Sequence, residues 1–210
     1  MTINKYDIEI KNAEKEIADF FGFQIENIEI IIAENRAEYE KLLGRKTAEW
    51  EVGNSNLNKK IIFLLDPEQW TKEAPSHKPE EFPLLVRHEL VHIYTNHLSK
   101  GKPIPMWLFE GLAGAISEQY KKVNIQYFET DFCSKLDTPF NWNQRTNSGA
   151  YPVAYLFTHY LFNKYGIKKI KELIQLTPAY YSYNGFDKIV FNILGKNLSE
   201  LEKDFLENLE

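Results

Sequence analysis

A chain of 210 residues is one ordinary domain or two small ones, and buries roughly 70% of its unfolded surface without disulfide staples. Hydrophobic residues make up 43% of it and charged residues 26%, which excludes a disordered chain. A net charge of −5 argues against a nucleic-acid partner, and a single cysteine, Cys133, excludes an intramolecular disulfide and any multi-cysteine metal site.

In chain order, Tyr6 to Phe21 carries spaced apolar positions (Ile8, Ile10, Ala13, Ile17, Phe20, Phe21) and predicts an amphipathic helix ending near Gly22. The β-branched run Ile28 to Ala33 predicts a strand. Asn35 is placed to cap a helix through Leu43, stopped by Gly44. Glu49 to Val52 and Lys60 to Leu65 predict two strands around a turn at Gly53-Asn-Ser-Asn56. Three prolines between Pro67 and Pro79 predict a loop or short turns. Helices are expected at Glu80 to Leu98, with Pro83 tolerated in the first turn, and at Met106 to Lys121. The pattern loosens from Lys122 to Gly149. Tyr151–Tyr165, Ile167–Leu176, Tyr183–Leu194 and Ser199–Leu209 then read as helices.

The expected class is α+β. A small mixed sheet from the N-terminal third lies beside a long helix, and the C-terminal half is helical. We read residues 1–210 as a single domain, with an α/β part (1–66), two central helices (67–121) and a helical part (122–210). The start, Met1-Thr-Ile-Asn-Lys-Tyr-Asp7, has no apolar signal core, and runs such as Ile61–Leu65 are too short to span a bilayer. The expectation is a soluble, cytoplasmic protein with no membrane partner.

The chemistry concentrates at His88-Glu89-Leu90-Val91-His92. On a helix, positions four apart lie about 40° apart around the axis, so both histidines project from one face, a turn apart. Imidazole nitrogens suit zinc, and Glu89, next to that face, is placed to take a proton from water. The plain alternative is two surface histidines with a solvated glutamate. Against it stand Phe82, Leu84, Leu85, Val86, Leu90, Val91 and Ile93, which make the helix look buried. Buried histidines need partners.

A catalytic zinc takes three protein ligands and leaves a position open. Glu110 sits in the apolar stretch Trp107-Leu-Phe-Glu-Gly-Leu-Ala113, where a carboxylate is costly unless paired or metal-bound. The loop Asn96–Pro105 lets the second helix turn back and bring Glu110 over the histidines. The bland reading is an acidic first-turn residue favoured by the helix dipole.

Together, His88-Glu-x-x-His92 and Trp107-Leu-Phe-Glu-Gly-Leu-Ala113 resemble the gluzincin class of zinc metallopeptidases, in the peptidase MA-like superfamily. The resemblance implies a minimal thermolysin-like catalytic core with one zinc ion held by His88, His92 and Glu110, and Glu89 as general base. Tyr151-Pro-Val-Ala-Tyr-Leu-Phe-Thr-His-Tyr-Leu161 resembles a gluzincin helix whose opening Tyr donates a hydrogen bond to the oxyanion, which assigns that role to Tyr151. A phenol aimed at developing charge suits it; an ordinary core aromatic is the alternative. The likeness runs from about Leu65 to the C-terminus.

The chain departs from the family in two places. Gly114 stands four residues after Glu110, where thermolysin-like enzymes place an Asp that orients a zinc-bound histidine. The aminopeptidases' Gly-x-Met-Glu-Asn motif is missing; Glu49–Asn54 is the nearest positional candidate. That weakens an exopeptidase, and a strand at Ala48–Val52 could pair an extended peptide along its edge.

The function expected is zinc-dependent peptide-bond hydrolysis on a peptide or protein substrate, as an endopeptidase before an aminopeptidase. A zinc-binding protein of the same fold without peptidase activity, in a regulatory or scaffold role, stays open as the alternative. The remaining candidates read as structural: His97 as a helix-end residue, His159 as core packing or a contact behind the ligands, His77 as solvated, Cys133 as packed or a free thiol. Tyr127, Phe128, Phe132, Phe140 and Trp142 fill core, or wall a cleft.

Overall fold

The computed structural model describes residues 5–123, 130–146 and 149–209; Tyr127 and Phe128 lie outside the described residues. The chain divides into two units, Met1–Tyr94 and Thr95–Glu210.

The first unit opens with α1 (Asp7–Phe21), which buries Ala13, Ile17 and Phe21. It stops at Gly22, whose φ of 76° suits a residue without a side chain. Strand β1 (Glu29–Ala33) and helix α2 (Arg36–Leu43) follow, the Asn35 side chain accepting from the Glu38 N–H as expected of a cap. Then come β2 (Gly53–Asn56) and β3 (Ile61–Leu65), the four-residue helix α3 (Trp70–Glu73), and α4 (Phe82–Leu98). Single 3-10 turns at Pro67–Gln69 and Pro79–Glu81 fill the proline-rich stretch.

The sheet has the order β1-β3-β2 and is mixed. β1 runs parallel to β3 with Ile31 opposite Phe63, and β2 runs antiparallel with Ser55 opposite Ile62. Ile62, Leu64 and Leu65 are fully buried, as are Val86, Leu90 and Val91 on α4.

The hairpin corrects the expected register. Glu49–Val52 is not a strand, and the Gly-Asn-Ser-Asn run expected as the turn is β2 itself. The reason lies in Arg36. Its guanidinium collects the carbonyls of Ala48 (3.3 Å), Glu49 (2.8 Å), Glu51 and Glu73 (2.9 Å), and also donates to the Thr47 hydroxyl (3.0 Å). The Glu49 and Glu51 carbonyls therefore go to a side chain and not to a ladder, and within 49–52 only the Val52 carbonyl accepts from β3, from the Leu65 N–H. The turn moves to residues 57–60, where Lys60 adopts a left-handed φ of 55°.

In the second unit, α5 (Met106–Ile116) is shorter than expected. Glu118 turns left-handed, with φ of 68°, and a 3-10 turn covers Gln119–Lys122. The loose segment holds two short helices, α6 (Phe132–Lys135) and α7 (Pro139–Asn143). Helices α8 (Ala150–Tyr165), α9 (Ile167–Leu176), α10 (Tyr183–Leu194) and α11 (Leu198–Glu207) complete the unit, close to the expected bounds. Its core is aromatic: Phe157 lies 5.3 Å from Trp107, 5.0 Å from Phe132 and 5.3 Å from Phe205, measured between ring centres. The fold is thus α+β, with a small mixed sheet and a helical second half. Among the described residues no helix is long and apolar enough to cross a membrane.

Candidate metal centre

Helix α4 carries His88, Glu89 and His92, all under a tenth exposed. The four-residue spacing stacks the two imidazoles one turn apart with their planes at 87°. Their Nε2 atoms stand 3.1 Å apart. Two nitrogens on a tetrahedral zinc, each about 2.05 Å from the metal, are separated by about 3.3 Å. The pair is therefore spaced like one edge of a zinc tetrahedron. Glu110, on α5, is 9% exposed. One ligand atom from each of His88, His92 and Glu110 lies within 4.8 Å of the other two. Among the described residues this is the one group of at least three such side chains so placed. The donor set, two imidazoles and a carboxylate, is borderline in character and suits zinc better than calcium or magnesium, which prefer oxygen alone.

Glu89 is held from β2. The Ser55 hydroxyl lies 2.6 Å from Glu89 Oε2, within the range of a hydroxyl donating to a carboxylate, and 3.1 Å from the Glu89 main-chain carbonyl. Having a single proton, it serves the carboxylate as the shorter contact. Two residues back, Gly53 lies so close that a Cβ there would stand 2.7 Å from Glu89 Oε1 and 2.8 Å from Leu85 Cδ1. The Tyr39 hydroxyl, fully buried on α2, has no hydrogen-bond partner among the described residues. Burial first, then the negative charges of Glu89 and Glu51, push its pKa up and keep the phenol protonated.

Sequence reasoning missed Gly53 and Ser55, because their composition reads as a turn. The available signal was their spacing: residues two apart on a strand share a face, and both are small.

Tyr151 is the second residue of α8, half-buried, with its ring edge-on to Trp142 at 4.9 Å and to Tyr155 at 5.9 Å. Gly114, where the gluzincin pattern has an Asp, lies under the Tyr155 ring. A Cβ at 114 would come within 2.1 Å of two of that ring's carbons. Packing of α5 on α8 thus claims the position, and no side chain fits. Gly111 has the same role one turn earlier, against Thr158 and the Ala154 carbonyl.

The other candidates lie apart from the group. His97 is exposed at the end of α4. His159 stacks on Tyr120 at 3.8 Å with Nε2 2.9 Å from the Asn163 amide; burial, then Lys121, lowers its pKa. His77 is not simply solvated: its Nε2 lies 2.8 Å from the Trp50 carbonyl. Cys133 is fully buried, and burial raises its thiol pKa, so it is packed and inert. Phe132 and Trp142 are core residues, while Phe140 is 71% exposed. Compared with protein-family models, curated proteins and solved structures, the chain matches none significantly.

Proposed function

We propose that this chain is a zinc-dependent peptidase of gluzincin type, acting on peptide or protein substrates as an endopeptidase before an aminopeptidase. The observation that carries the reading is that one ligand atom from each of His88, His92 and Glu110 lies within 4.8 Å of the other two, while Glu89, the neighbour of His88 on α4, has its carboxylate fixed by the Ser55 hydroxyl. Zinc bound there would polarise a scissile carbonyl and lower the pKa of water to about 7. Glu89 then takes the proton that the attacking water gives up and passes it to the departing amine. Tyr151, by its resemblance to the gluzincin position, donates to the developing oxyanion.

The preference for an endopeptidase rests on β2. It is the edge of the sheet, and an extended peptide adds to such an edge through main-chain hydrogen bonds without any anchor for its terminus. The lone, buried Cys133 suits a reducing compartment, so we place this activity in the cytoplasm.

The test compares zinc-loaded wild type with Glu89→Gln on a peptide library. Zinc content should persist while hydrolysis collapses by a factor on the order of 100 or more, the typical worth of a general base. A fully active variant would overturn the mechanism. A zinc-loaded wild type that cleaves nothing would leave a zinc-binding protein without peptidase activity.

A further inference from the structure

We infer that Ser55 is a positioning residue for the Glu89 general base, and that Gly53 is small because that carboxylate occupies the space a side chain would take. The inference rests on the peptidase reading of the site. The Glu89 side chain has three rotatable bonds, and a proton acceptor works only when held within hydrogen-bond reach of the proton it takes. Ser55 supplies the hold. Its hydroxyl makes a 2.6 Å bond to Oε2 from a strand fixed by pairing with β3, Ser55 opposite Ile62 and Gly53 opposite Leu64. The same hydroxyl sits 3.1 Å from the carbonyl of Glu89 itself, but its one proton goes to the nearer carboxylate, so the hold falls on the side chain. Gly53 and Ser55 alternate on the strand and present the same face to the helix. A Cβ at 53 would stand 2.7 Å from Oε1 and drive the carboxylate out of this orientation. The two residues thus act together, one by a bond and the other by leaving room.

The experiment uses the full-length protein loaded with zinc, as wild type, Ser55→Ala and Ser55→Thr. Removing the hydroxyl should lower kcat on the order of 10–100-fold, as for other residues that orient a metal site's groups. KM and zinc stoichiometry should stay at the wild-type value. Threonine keeps the hydroxyl on Cβ and suits a strand, so it should restore most of kcat. A Ser55→Ala variant within twofold of wild type, or a Ser55→Thr variant as impaired as Ser55→Ala, overturns the inference. Crystal structures of wild type and Ser55→Ala give a readout without activity. Glu89 should bond to Ser55 in the first and turn away in the second, and an unmoved carboxylate in the alanine variant overturns the positioning role. If wild type cleaves nothing, the peptidase reading fails, and those structures still decide whether Ser55 orients Glu89.

Discussion

Gly111→Ala should destabilise the protein, although helix propensity alone says the opposite. Gly111 lies inside α5, where replacing glycine by alanine favours the helix by about 1 kcal/mol. A Cβ there would stand 2.6 Å from the Ala154 main-chain oxygen and 2.1 Å from Thr158 Oγ1, where ordinary contact begins at 3.4 Å. Thr158 is fully buried and β-branched, with little rotamer freedom, and the Ala154 carbonyl belongs to the α8 backbone. Relieving the Ala154 contact alone requires the helices to separate by about 0.8 Å, and the Thr158 contact asks for more; a gap of that smaller size already forfeits a quarter to half of each lost contact. Overpacking against backbone belongs at the upper end of its range, about 3 kcal/mol. Subtracting the propensity gain leaves a net loss of about 2 kcal/mol. For a chain of this length that lowers Tm by about 4–8 °C. Thermal unfolding followed by circular dichroism measures it. A variant as stable as wild type, or more stable, would refute the close packing of α5 on α8.

Gly53→Ala presses on the tips of the Glu89 and Leu85 side chains and not on backbone, so Tm should stay near wild type while peptide hydrolysis falls and zinc is retained; loss of zinc or of fold would contradict this. Glu202→Gln tests a buried carboxylate whose pKa is raised by burial, partly offset by the Cys133 N–H bond. A raised folded pKa means the wild-type contribution is complete below the unfolded value of about 4.3 and is lost as pH rises through the folded one. The Gln variant lacks that loss and can still accept from Cys133, so its urea midpoint should gain on wild type between pH 4 and pH 7. An unchanged or reversed difference would contradict the assignment.

The legible parts of the fold and site are those set by near neighbours in the chain. The Asn35 cap acts over three residues and the His88–His92 pair over one helical turn, so spacing alone located both. The apolar setting of Glu110 marked it as a carboxylate in need of a partner. What escaped depends on distant residues. Arg36 takes the carbonyls of residues 48, 49 and 51, and this shifts the hairpin from the register its composition suggests. Ser55 meets Glu89 across 34 positions, and in a Gly-Asn-Ser-Asn run nothing local distinguishes an edge strand from a turn. Gly114 looked like a missing Asp until Tyr155 was found across it.

The most direct test of the account is the metal content of the purified protein, by mass spectrometry after zinc addition and desalting, for wild type and for His92→Ala and Glu110→Ala. The account predicts one zinc per wild-type chain, with occupancy sharply reduced in both variants. A wild type that holds no zinc and gains none, or variants that bind it as fully as wild type, would contradict it.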